Sequence, residues 1–452
     1  MKVLTAVVIA VVITAIVSGL VTYAVVPTKE VVKEVPKEVI VEKPVTPQRV
    51  KIELWEAWAG EPAEAALKEI AASFSKLNPY IEVVVTGYTG SEYWTKLRSA
   101  MAAGEPPDMY VTYGGGELFS YVEEGQSVEI TDLLREDWAK KIYTEDELAV
   151  ARLGDKLYGM PFEANMIWMF VNVDLFKKAG VSVPENGWSW DEFISAVKKL
   201  KAAGITPLGI GAKDKWDLGW YWVTLVDRIG GKDAYYKALN REISFTDTVF
   251  VEAYRKIREL LDLNPCQSGW ETAGAFDVWG MFGKGDIAMY VGGSWAAGFF
   301  DTFAGLNYAI VPFPYVVGGK GDPKATHILP NAISVSPTGA KHKEQVYQFL
   351  RFLASTPIQV YFAHTGKSPM AANIAMPSGT YGVAMEKAIK WTRESPYFIL
   401  PYGTMSPPEL GTLLSNTHAE VMLGKKTPED ACKGFEDLAK DLQSRGVLPY
   451  KK

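Results

Sequence analysis

After Met1 and Lys2 the chain runs from Val3 to Val26 without a charged residue, its only polar members being Thr5, Thr14, Ser18, Thr22 and Tyr23. As a helix this run covers roughly 36 Å, against about 30 Å for the hydrocarbon core of a bilayer. These residues are withdrawn from any globular body, and the rest of the chain must be held on a membrane or sent across one. An uncleaved transmembrane helix is the expectation for residues 1–26. A secretory signal is the rival, because Thr22-Tyr23-Ala24 resembles a small-x-small cleavage site. A signal core of about 7–15 residues would, however, be shorter than this run. Lys2, the lone charge at the amino end, favours that end inside and the remaining chain outside. No cysteine precedes Cys266, so attachment through a lipidated cysteine near the terminus is excluded.

Pro27 to Arg49 alternates Lys and Glu around Pro27, Pro36, Pro44 and Pro47. Such a segment buries no core and resists continuous helix, so it reads as an extended, semi-rigid stalk. Pro36 speaks against a coiled coil over Lys29 to Glu42. The remainder, about 400 residues, exceeds what one hydrophobic core usually supports, and two lobes are expected. A composition of 48% hydrophobic and 22% charged residues is that of a globular chain. A net charge of -6 over 452 residues, with no basic cluster, argues against a nucleic-acid partner.

From Lys51 the pattern alternates between strand and helix. Strands are expected over 51–58, 81–85 and 108–113, with helices over 63–77 and 94–103. Asn78-Pro79 stops the first helix. Further on, 190–203, 343–354 and 427–445 have helical spacing, and 287–291 and 332–336 read as strands. This βαβα order predicts a mostly parallel sheet covered by helices, with ligands gathering at the carboxyl ends of its strands.

The templates of enzyme chemistry fail in turn. His327, His342, His364 and His418 are scattered, with neither HExxH nor Cys/His metal spacing. Gly292-Gly293-Ser294-Trp295-Ala296 has Ala where a nucleophile elbow needs Gly. Gly366-Lys367-Ser368 ends like a phosphate loop, but Tyr361 stands where the leading Gly belongs. Carboxylate pairs suited to glycoside hydrolysis stay open, since 53 acidic residues offer many. Of these, Glu163 stands in the most conspicuous place. The 14 Trp and 22 Tyr serve a core, and they also suit a cleft for a flat, hydroxylated ligand.

Five stretches carry a family resemblance. They are the strand ending at Trp58 with its helix and Asn78-Pro79; Pro106 to Val111; and Gly154 to Phe176, followed by Pro184 and Trp190 to Phe193. Met281 to Met289 then runs into Gly293-Ser294-Trp295, and Asn331 to Ser336 precedes Gly366 and Pro369. In this order they resemble the extracellular solute-binding proteins of ABC importers, the family of maltose-binding protein. The long anchor, the stalk and the two cysteines depart from that pattern. The resemblance implies an α/β, two-lobe periplasmic-binding-protein-like fold with a hinge and an interlobe cleft. Lobe 1 is expected over 50–163 and 328–370, lobe 2 over 164–327 and 371–452, with crossings near 163–165, 328–331 and 366–375. It further implies a carbohydrate ligand, a membrane permease as partner, a monomeric body, and no catalytic residue, metal or cofactor. A glycan-active enzyme and a surface receptor without transport are the alternatives.

The candidate contacts follow from position. Trp58 and Glu61 come just after the first strand, and Tyr113 follows the third, next to Gly114–Gly116, where backbone amides would approach a ligand or simply turn the chain. Glu163 and Asn165 lie in an apolar stretch at the first crossing, where a carboxylate needs donors such as sugar hydroxyls or a hinge salt bridge. Trp216 and Asp217 are chosen from an indole-rich segment in which Trp220 and Trp222 read as core. Trp279 faces either way, Trp295 resembles the family's sugar-stacking tryptophan, and Tyr402 its late aromatic contact. Cys266 and Cys432, the only cysteines, are expected to form one bridge in an oxidising exterior, with two buried thiols as the alternative.

Overall fold

The computed structural model describes residues 49–60, 62–366, 375–403 and 405–449. The apolar run 1–26, the stalk before Arg49, Glu61 and most of the 366–375 crossing lie outside the described residues. Among the described residues no helix is long and apolar enough to cross a membrane.

The described residues form eleven strands: β1 Val50–Glu56, β2 Ile81–Gly87, β3 Met109–Tyr113, β4 Arg152–Leu153, β5 Lys156–Leu157, β6 Gly159–Asn172, β7 Thr206–Gly209, β8 Ile287–Gly293, β9 Tyr308–Val311, β10 Thr326–Val335 and β11 Phe398–Ile399. Alternation makes β1 a strand, with Ile52, Leu54 and Glu56 inward. The helix Pro62–Leu77 opens on a proline suited to a first turn, and Ala63, Ala66, Leu67, Ile70 and Phe74 form its buried stripe. Asn78 closes it by donating from Nδ2 to the Phe74 carbonyl at 2.9 Å. Ser189 and Glu192 form a capping box that starts the helix Trp190–Ala202.

Nine strands form one sheet, in the order β2-β1-β3-β10-β6-β8-β7, with β11 beside β10 and β9 beside β6. The pairs β1–β2, β1–β3 and β7–β8 are parallel. β10 runs antiparallel to β3 and β6, and β6 antiparallel to β8 and β9. The sheet is therefore mixed, not mostly parallel. The reason is that two long strands, β6 and β10, run against the direction of the neighbours they pair with in the middle of the sheet. One core packs Ile52, Leu54, Phe74, Phe162, Ile333 and Leu350. Beyond Met166 the strands enter two others, around Trp190, Trp222 and Tyr254 and around Phe170, Phe282 and Tyr290. Between Asn331 and Ala332 the β6–β10 register slips by one residue, which leaves Phe162 as a bulge.

Candidate functional site

Three residues share one rung of the sheet beside that bulge. Asn331 of β10 stands opposite Tyr113 of β3 on one side and Glu163 of β6 on the other. Directly paired residues project to the same face, so the rung sets a phenol, an amide and a carboxylate side by side. Asn331 donates from Nδ2 to Glu163 Oε2 at 2.9 Å, and Asn165 donates to the same oxygen at 3.2 Å. All three polar side chains are buried, and Asn331 Oδ1 has no hydrogen-bond partner among the described residues. Ser294 Oγ donates to Asn165 Oδ1 at 3.3 Å, and its backbone N–H donates to the Met166 carbonyl at 2.8 Å. This clamps the turn that presents Trp295. Sequence reasoning passed over Asn331; an amide inside an otherwise apolar strand was the available signal.

Trp58 follows β1 and is half-buried, its ring 6.1 Å from that of Phe162. Glu56, fully buried, accepts the Trp58 backbone N–H through Oε2 while Oε1 is unpartnered. Burial pushes the Glu56 carboxyl up to about 7. Glu64 accepts the Gly60 N–H at 2.8 Å and the Lys68 ammonium at 2.6 Å, so the turn after β1 is held by two carboxylates. Tyr113, also half-buried, packs its ring 4.9 Å from Trp94, and burial raises its phenol. The glycine run beside it serves the fold: Gly114 N–H donates to the Pro330 carbonyl and Gly115 N–H to that of Val150. Gly115, with φ +85°, lies against Met405 with no room for a side chain.

Trp216 begins the helix Trp216–Gly230 after Lys215, whose φ of 62° is unusual for a residue with a side chain. Trp216 is 39% exposed, and its ring lies 5.9 Å from that of half-buried Trp295. Trp295 itself folds back over Gly293, where a side chain would collide with the indole. Asp217 turns inward: it is buried, accepts the Tyr290 hydroxyl at 3.1 Å, and burial pushes it up to about 8. Trp220 and Trp222 are buried.

Two chosen aromatics fall inside the cores. Trp279 is 5% exposed, with its ring 4.7 Å from Phe276 and 5.8 Å from Phe299. Tyr402 is 2% exposed and stacks on Tyr235 with centroids 3.7 Å apart. Trp279, which could have faced either way, faces an apolar cluster, and so does Tyr402, which Pro401 and Gly403 had made look like a loop contact. The expected bridge is not formed: Cys266 and Cys432 are free thiols. Cys266 pairs with Leu208 at the sheet margin and Cys432 is buried in the helix Pro428–Ser444. Among the described residues no group of His, Cys, Asp and Glu side chains is placed to hold a metal ion.

The chain has the mixed α/β, two-lobe fold of the periplasmic binding proteins. The sequence profile described as bacterial extracellular solute-binding protein matches residues 58–360, and the chain belongs to that family. An uncharacterised ABC-transporter extracellular-binding protein of Pyrococcus horikoshii is 26% identical over 412 residues, covering 88% of this chain and 89% of its own. The multiple sugar-binding protein of Streptococcus mutans is 25% identical over 315 residues, 68% of this chain and 72% of its own. Among solved structures, the raffinose complex of the solute-binding protein RafE matches with a TM-score of 0.71 and 25% identity, over 86% of this chain and all of that one.

Proposed function

We propose that the chain captures a neutral sugar or oligosaccharide at the junction of its lobes and delivers it to an ABC permease. The observation that carries this reading is the Tyr113–Asn331–Glu163 rung, its amide and carboxylate buried and its phenol half-buried, with the half-buried indoles of Trp58 and Trp295 joined to it through Phe162 and Ser294. Trp58 packs on Phe162, the neighbour of Glu163, and Trp295 follows Ser294, which bonds Asn165. Sugars present apolar C–H faces to aromatic rings and hydroxyls to amides and carboxylates. Buried carboxylates at such a site disfavour an anionic solute. Trp58, Tyr113, Glu163, Asn165, Trp216 and Trp295 are the proposed contacts, joined by Asn331. The sugar-binding relative and the raffinose-bound neighbour support the ligand class.

The run Val3 to Val26 supports residence at the outer face of the membrane on a single anchor, with residues 27–49 as spacer. Amino-terminal sequencing of native protein tests this part: a start near Val25 overturns the anchor. Calorimetry of the detergent-solubilised full chain against a glycan panel, with product analysis, tests the rest. Saturable binding without turnover is expected, and steady hydrolysis of any panel member would replace capture with catalysis.

A further inference from the structure

Just before the helix Trp216–Gly230 the backbone reverses over three residues. Trp216 N–H donates to the Asp214 carbonyl at 2.7 Å, across Lys215 at φ 62° and ψ −35°. This is a γ-turn of the rare hand, strained for any residue that carries a Cβ. Most positive-φ positions among the described residues are glycines, which take such conformations without strain. Here a lysine takes one, directly before an indole that is 39% exposed.

Both ends of the turn are fixed. Before it, Ala212 N–H donates to the Trp270 carbonyl at 3.0 Å and Lys213 N–H to that of Ala273 at 3.1 Å. Asp214 Oδ2 accepts the Ala275 N–H at 2.8 Å. After it, buried Asp217 accepts the Tyr290 hydroxyl at 3.1 Å, and Leu218 N–H donates to the Lys215 carbonyl at 3.2 Å. Strained backbone persists where its surroundings over-determine it, and these bonds do so. Lys215 adds what a glycine could not: its Nζ donates to Asn416 Oδ1 at 2.9 Å, on the helix Pro408–Met422.

The group that this turn holds is the indole of Trp216. Its ring lies 6.2 Å from that of Trp220 and 5.9 Å from that of Trp295. An exposed indole on a loose turn would have to be ordered by its ligand, at a loss of affinity. On a locked turn that ordering is complete before the ligand arrives.

We propose that Lys215 is a positioning residue, whose strained turn, locked between Ala275 and Asn416, sets the Trp216 indole for a sugar in the free protein. The proposal rests on the reading of Trp216 as a sugar contact. It separates two quantities that a merely structural turn would move together. Relaxing the turn should lower affinity while leaving stability equal or higher.

The test uses the full-length, detergent-solubilised protein labelled with fluorotryptophan, the Trp216 resonance being assigned by its loss in Trp216→Phe. Without ligand, wild type should show one narrow Trp216 line. Lys215→Gly relieves the strain and removes the tether, so it should broaden or shift that line and keep or raise the thermal midpoint. Calorimetry with maltotriose, xylotriose and raffinose should show whichever binds weakened by about three- to ten-fold. Lys215→Arg, which keeps strain and tether, should match wild type in all three measurements. In a Trp216→Ala background Lys215→Gly should cost no further affinity, because it acts through the indole alone. An unmoved Trp216 line in Lys215→Gly, a lowered midpoint with unchanged affinity, or an equal loss in the Trp216→Ala background overturns the positioning role. If Trp216→Ala weakens binding and Lys215→Gly does not, only the positioning fails. If none of the sugars binds, or Trp216→Ala binds as well as wild type, the reading of the site itself fails and the role in sugar binding falls with it.

Discussion

Glu56 holds the backbone N–H of Trp58 with one carboxylate oxygen and buries the other beside Gly87 and Glu64 without a partner. An ionised carboxylate in that position lacks the water it would have in the unfolded chain, which is why its pKa rises from 4.5 to about 7. The folded state then binds the proton more tightly than the unfolded one. The associated stability is fully present below pH 4.5 and is lost as pH rises to 7, by up to about 3 kcal/mol. His327 and His418, pushed down to about 3 by burial, act in the opposite sense, costing stability as pH falls below 6.5. The measurement is therefore the difference between wild type and Glu56→Gln in denaturant unfolding. The variant, neutral at every pH, should be the more stable at pH 8 and indistinguishable at pH 4. A constant difference across that range would show that Glu56 ionises normally.

Trp295→Ala should weaken sugar binding by more than ten-fold, because a lost stacking surface costs roughly 1–3 kcal/mol and about 1.4 kcal/mol is a factor of ten. The ring is half-buried against Trp216 and Trp220, so unfolding should shift less than for a full core truncation of about 3–5 kcal/mol. Intact affinity with a large fall in the thermal midpoint would make Trp295 a core residue.

Glu163→Ala should do both kinds of damage. It strips the acceptor from the amides of Asn165 and Asn331, each buried, at about 1–3 kcal/mol per orphaned group. Glu163→Gln keeps an acceptor oxygen and should recover most of the stability. Thermal unfolding compared with titration of a binding sugar decides the matter, and an unperturbed midpoint in the alanine variant would contradict the network.

Cys266 and Cys432 should remain thiols in native protein, so reduction should leave the intact mass unchanged. Burial pushes both up to about 12, which leaves little thiolate at neutral pH. Alkylation should be slow until denaturant is added. A mass shift on reduction of freshly isolated protein would restore the bridge.

What was legible in the sequence depended on whether a segment has two different sides. β1 and the helix Pro62–Leu77 each bury one side only, and their periods of two and of three to four residues mark them plainly. β6 and β10 are buried nearly throughout, so neither alternates, and the expected strand over 332–336 proved to begin at Thr326. With β6 unread and β10 read only in its second half, the antiparallel pairings were invisible as well. The site divides similarly. Residue type and position singled out Glu163 and Asn165, but which aromatics face inward is settled by partners distant in sequence. Tyr235 covers Tyr402 from 167 residues away.

β6 and β10 are the longest strands of the sheet, and the bulge at Phe162 interrupts their ladder between Asn331 and Ala332. If the proposed lobes turn on one another about this ribbon, each atom would travel in proportion to its distance from the axis. The Glu163–Asn331 hydrogen bond and the Trp58 ring on Phe162 lie at the ribbon and would move little, whereas Trp216, carried by the helix Trp216–Gly230, would travel with its lobe. On that proposal the groups that read hydroxyls keep their geometry from first encounter to final grip, and the outer indole closes last.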